Sequence, residues 1–138
     1  MKDCIFCKIV SGDLPGHIVH EDDQTLAFLS IEPIRKGHVL VIPKKHQPEF
    51  YKLDSETYMD LMRAVHTVSK KINKILQPKR VGLMVAGWDV PHTHVHVIPM
   101  EDEGDITSKI LLEQKTLKQT QEELAATAEQ LNPQHGTH

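Results

Sequence analysis

Neither sign of charge dominates this chain of 138 residues: Asp and Glu outnumber Lys and Arg 19 to 16, giving a formal charge of −3 and a pI near 6.3. No basic face is therefore expected for a nucleic-acid backbone, and the Lys44-Lys45 and Lys70-Lys71 pairs are short enough to be solvated surface. Long apolar runs are missing as well. No stretch approaches the roughly 20 residues of a membrane span, and Met1-Lys2-Asp3 leads to Cys4 without an apolar signal segment, so a cytoplasmic protein without membrane contact is expected. Cysteine is scarce: Cys4 and Cys7 stand alone, spaced C-x-x-C. In a reducing compartment such a pair binds metal or does redox chemistry more often than it forms a structural disulfide.

What is present suffices for a single domain, with a core over 3–105, a helical extension over 106–132 and a loose tail over 133–138 that holds His135 and His138. Residues 3–10 read as a short helical turn burying Ile5, Phe6 and Ile9, ended by Gly12, Pro15 and Gly16. Strands are expected at His17–Glu21, Thr25–Ser30, His38–Ile42, Arg80–Ala86 and His92–Ile98, the first two joined by a short polar loop. Tyr58, Leu61, Met62, Val65, Val68, Ile72, Ile75 and Leu76 recur at three- and four-residue spacing, so one long helix, capped by Asp54 or Ser55, should bury that face. Thr120 followed by Glu123 is a capping-box pattern and predicts a C-terminal helix ending near Asn132-Pro133. A β-rich half interrupted by one long helix implies an α+β fold with an antiparallel five-stranded sheet.

The stretch Pro91-His92-Thr93-His94-Val95-His96-Val97-Ile98-Pro99 puts histidines at every second position. In a strand they would share one face, lining a cleft, while Thr93, Val95 and Val97 packed on the other. At about 3.3 Å per residue the outer two stand about 13 Å apart, too far for one zinc ion whose bonds to nitrogen are only about 2 Å. A row of unpartnered rings is costly to bury, so a polar site explains it better than chance. His38 would join the cleft if the third strand neighboured the fifth. His46 and one end of the triad could complete a Cys2His2 zinc site with Cys4 and Cys7, whereas a redox role lacks the long helix that should follow the cysteines.

The run His92-x-His94-x-His96-Val97-Ile98 resembles the defining motif of the histidine triad (HIT) superfamily of nucleotide hydrolases and transferases. The blocks "DCIFCKIVSGDLP", "TLAFLSIEPIRKGHVLVIPKKH" and "VAGWDVPHTHVHVIPM" are similar to family sequence in the same order, so the likeness covers roughly residues 3–100. It implies the HIT-like fold. It also implies that His94 attacks the α-phosphorus of a nucleotide to form a nucleotidyl-histidine, while His38 and His96 donate hydrogen bonds to phosphate oxygens. No metal is then required for catalysis. In members with an N-terminal C-x-x-C, the resemblance assigns a structural zinc to Cys4, Cys7, His46 and His92, and it places nucleotide contacts at Ser30, Ile31, Trp88 and Asp89. The sequence departs from the family pattern in Ser30, where an acidic residue is expected, in Arg80-Val81-Gly82-Leu83, where an Asn-rich turn is expected, and in Trp88, where glutamine is usual.

The resulting expectation is a hydrolase of nucleoside phosphoramidates or related nucleoside 5′-monophosphate derivatives, with an AMP-like purine nucleotide as substrate and a homodimer as the assembly. Cleavage of diadenosine polyphosphates differs only in leaving group. A sugar-phosphate nucleotidyltransferase would be about twice this length. A zinc-stabilised binding module would lack turnover, and a cupin-like enzyme would need further ligands at suitable spacing.

Overall fold

The computed structural model describes residues 3–107, 113 and 116–133; the expected tail beyond Pro133, with His135 and His138, lies outside the described residues. Among the described residues, three helices and five strands follow in the order α1 (Ile5–Ser11), β1 (Ile18–Glu21), β2 (Thr25–Leu29), β3 (Val39–Pro43), α2 (Ser55–Leu76), β4 (Arg80–Met84), β5 (Val95–Met100) and α3 (Gln121–Leu131). The strands form one antiparallel sheet in the order β1-β2-β3-β5-β4. The α+β class and the five-stranded antiparallel sheet expected above are both present.

Alternation along the strands gives the sheet two apolar faces. Val19, Ala27, Leu29, Val39, Val41, Val95 and Val97 pack beneath α2 and α3 through Leu61, Ala64, Val65, Val68, Ile72, Leu124, Ala128 and Leu131. The opposite face, with Ile18, Leu26, Phe28, Leu40 and Ile42, is covered by Phe6 and Ile9 of α1. His96 belongs to this second face, paired with Leu40 of β3 on one side and Met84 of β4 on the other. The third and fifth strands are thus neighbours, as entry of His38 into the site requires.

Local signals hold at the helix ends. Asp54 caps α2 by accepting from the Thr57 backbone N–H, Gln77 closes it in the left-handed region before Pro78, and the Thr120–Glu123 capping box is formed in both directions. Several boundaries and faces differ. Ile5 is exposed because α1 turns only Phe6 and Ile9 to the sheet, and Tyr58 and Ile75 lie at the open edges of the α2 stripe. The triad strand begins at Val95, not His92, and runs through Pro99 to Met100. Past Val97, β5 has no further partner in β3, so it borders only β4 there and tolerates proline. Single 3-10 turns at Phe50–Lys52 and Glu103–Asp105 were not legible in the sequence.

Candidate active site and metal centre

His92, His94 and His96 do not form a straight row. The backbone bends at His92, where its N–H donates to Val90 O at 2.8 Å, and Thr93 binds Gln47 O through both its N–H (2.8 Å) and its hydroxyl (2.7 Å). This attachment draws the segment carrying His46 against His92 and takes His92 off the sheet face. The rings are not displayed in an open cleft either: His38, His92 and His94 are at most 1% exposed and His96 8%.

One turn of α1 brings the two thiols together, Cys4 capping the helix by accepting from the Cys7 N–H. Cys4 Sγ lies 3.4 Å from His92 Nδ1, and Cys7 Sγ lies 3.5 Å from the same nitrogen and 3.2 Å from His46 Nδ1. A tetrahedral ion with Zn–S bonds of about 2.3 Å and Zn–N bonds of about 2.0 Å sets sulfur–nitrogen separations of about 3.5 Å, so the four donors fit zinc. All four ligand atoms lie within 4.8 Å of one another. His92 Nε2 donates to Pro43 O at 2.8 Å, which leaves Nδ1 unprotonated and aimed at the thiols. Burial lowers the His92 pKa, keeping the ring neutral as a ligand must be, and burial with the adjacent Cys4 raises that of the Cys7 thiol, a repulsion between thiolates that a divalent cation would relieve.

The second cluster is built around the other rings. Ile34 N–H donates to His38 Nδ1 at 3.0 Å, so the His38 proton sits on Nε2, which donates to His96 Nδ1 at 2.9 Å. His96 is thereby left with Nε2–H as its outward donor. Burial, with His96 and then His94 adding to it, pushes the His38 pKa down to about 3. Burial and His94 bring His96 to about 4, with Asp89 acting in the opposite direction. Both rings are neutral near pH 7, as this chain of hydrogen bonds requires.

His94 is set differently. Its Nδ1–H donates to the His92 carbonyl at 2.7 Å, which leaves a lone pair on Nε2. That nitrogen is buried without a hydrogen-bond partner among the described residues, although Asp89 Oδ1 lies 3.3 Å away. The two observations agree: an unprotonated nitrogen beside a carboxylate makes a short distance and no hydrogen bond. The His94 ring is covered but Nε2 faces a side chain that is 73% exposed, so it stands at the edge of the solvent and away from the metal ligands. Phe6 meets both His92 and His94 edge to face, at 6.0 and 5.2 Å between centroids, and separates the two clusters.

Of the expected nucleotide contacts, Asp89 lies 3.3 Å from His94 Nε2, and Ser30 N–H donates to the His38 carbonyl at 2.9 Å. Ser30 is buried with its hydroxyl accepting from Glu32 N–H, while Ile31 and Trp88 are 71% and 93% exposed. Sequence reasoning overlooked the support for His38. Arg35 forks onto buried Asp105 with two bonds of 3.0 Å, tying the loop that carries Ile34 to the turn after β5. Gly37 completes that loop at φ 93°, where a Cβ would strike Leu76.

An antiparallel sheet thus brings His38, His94 and His96 together beside a Cys2His2 cluster able to hold a metal ion. The HIT domain family model matches residues 11–103, and the chain belongs to the HIT family. It is similar to adenosine 5′-monophosphoramidase hnt1 of Schizosaccharomyces pombe, 40% identical over 105 residues covering 72% of this chain and 76% of that one. It is also similar to adenylylsulfatase HINT3 of Arabidopsis thaliana, 32% identical over 122 residues, 85% of this chain and 62% of the relative. Among solved structures, a zinc-bound histidine triad family protein from Mycobacterium smegmatis aligns with a TM-score of 0.77 at 27% identity, over 96% of this chain and 92% of that one.

Proposed function

We propose that this protein hydrolyses nucleoside phosphoramidates or related nucleoside 5′-monophosphate derivatives, AMP-like ones foremost, through a nucleotidyl-His94 intermediate. The observation that carries this reading is the unpartnered lone pair of His94 Nε2, held in place by the bond from Nδ1–H to the His92 carbonyl. In the first step Nε2 bonds to the α-phosphorus, and the leaving group departs with the electron pair of its bond and takes up a proton from water. In the second step water attacks the same phosphorus, the pair of the N–P bond returns to Nε2, and nucleoside monophosphate is released with the proton of the water. His96 Nε2–H, oriented by His38, donates to the phosphate oxygens on which negative charge accumulates. Ser30, Ile31, Trp88 and Asp89 belong to the nucleotide-facing side in this reading, with Trp88 free to stack on a base.

Zinc held by Cys4, Cys7, His46 and His92 serves the fold, stapling α1 to the loop after β3 and to the segment before β5. Two free thiols of this kind suit a reducing, cytoplasmic setting, and no helix among the described residues is long and apolar enough to cross a membrane. A homodimer is proposed across the edge strand β4 and α2, where Tyr58, Met59, Leu83 and Val85 are exposed. The decisive experiment is intact-mass spectrometry after rapid quenching with adenosine 5′-phosphoramidate. A nucleotidyl adduct on His94 is expected, and His94→Asn should abolish both adduct and turnover; turnover retained by that variant would refute the mechanism.

A further inference from the structure

Any phosphorus that bonds to His94 Nε2 must enter the space where the Asp89 carboxylate stands, 3.3 Å from that nitrogen. Asp89 lies in the segment between β4 and β5, and its side chain is exposed enough to swing aside without leaving the neighbourhood of the reaction. Of the basic residues flanking β3, Arg35 pairs with Asp105, Lys44 with Glu21 and Lys45 with Asp54, while Lys36 is exposed on the loop before the strand. The charged group that stands against His94 Nε2 is the Asp89 carboxylate.

We propose that Asp89 is a specificity-determining residue whose carboxylate favours substrates with an uncharged or cationic leaving group, such as an amine, over those with an anionic one, such as sulfate or a further phosphate. The inference rests on the hydrolase reading above and adds the substrate class. Every substrate of this kind carries the charge of the α-phosphate, so repulsion of that charge cancels when two substrates are compared. What remains is the leaving group. Two unit charges about 6 Å apart, at an effective dielectric between protein surface and water, repel by an amount equal to roughly tenfold in a rate constant. The names of two relatives frame the contrast, a monophosphoramidase and an adenylylsulfatase.

The test is the ratio of kcat/KM for adenosine 5′-phosphoramidate to that for adenosine 5′-phosphosulfate, measured on the full chain. In the wild type the ratio should fall as salt is added. Asp89→Asn should lower it about tenfold and remove its salt dependence, Asp89→Ser should do the same, and Asp89→Glu should restore it. A ratio unmoved by Asp89→Asn would overturn the proposal. So would loss of both activities in step, which would mean that Asp89 serves chemistry common to both substrates. A wild type that cleaves neither and forms no adduct on His94 would instead remove the hydrolase reading, and this inference with it.

Discussion

Each triad histidine receives its role from the group that occupies one of its two nitrogens. Pro43 O accepts from His92 Nε2–H and leaves Nδ1 open toward the thiols; the His92 carbonyl accepts from His94 Nδ1–H and leaves Nε2 with its lone pair; His38 Nε2–H donates to His96 Nδ1 and leaves Nε2–H outward. Removing His38 should therefore act through His96. In His38→Ala the His96 ring loses its fixed tautomer, which nitrogen chemical shifts would show as a mixture, and kcat should fall about tenfold or more. Retention of a single Nε2–H tautomer in that variant would contradict the relay. Phe6 supports the same rings from below, edge-on to His92 and His94 and 5.3 Å from Phe28. Phe6→Ala should cost about 3–5 kcal/mol of stability in denaturant titration, since a buried aromatic ring is lost from the second face of the sheet.

At the scale of elements, His96 stands within β5 on the sheet, while His38, His92 and His94 sit on the segments that lead into β3 and β5. Arg35 and Asp105 brace one of these. Asp105 accepts both guanidinium bonds and also the backbone N–H groups of Glu101 and Asp102, so it knits β5, the following turn and the His38 loop together. Asp105→Ala should destabilise the protein by about 3 kcal/mol, read from the urea midpoint, and should lower kcat by loosening Ile34 and with it His38. Arg35 at the surface would keep a hydrated charge in that variant, so the loss belongs to the buried acceptor and its four donors. The helix ends were legible because capping uses neighbours in sequence: Thr120 and Glu123 are three residues apart and bond as their spacing predicts. The start of β5 was misread because alternation of His92, His94 and His96 with small or apolar residues imitates a strand. The bond of Thr93 to Gln47 O, 46 residues away, bends the chain there.

For the whole molecule, burying uncharged imidazoles makes stability depend on pH. His38 is held near 3 and His96 near 4 in the folded chain, against about 6.5 when unfolded. Below pH 6.5 the unfolded chain binds more protons than the folded one, so stability rises with pH between about 4 and 6.5 and is flat, for these two groups, above it. Each ring should cost on the order of 2–3 kcal/mol by pH 4 relative to pH 7, seen as a falling urea midpoint; an unchanged midpoint between pH 7 and pH 4.5 would show the rings to be charged or solvated when folded. The metal cluster joins residues up to 88 positions apart in the chain. Chelation should therefore lower the melting temperature more than it lowers the activity of protein that is still folded, measured by calorimetry and turnover on the same sample.

Composition, apolar spacing and capping pairs sufficed for the fold class, the long α2 stripe and the C-terminal helix, because these depend on residues within a few positions of one another. The histidine spacing and the two cysteines already named the residues that meet at the two clusters, whereas the distance argument assumed an unbent strand over His92–Ile98 and the chain is extended only from Val95. Which nitrogen of each ring carries its proton depended on Pro43 O, Ile34 N–H and the His92 carbonyl, backbone groups present in every residue and therefore without a signature in sequence. Only tertiary packing could select them, just as only closure of the segment after β4 could set the Asp89 carboxylate against His94 Nε2.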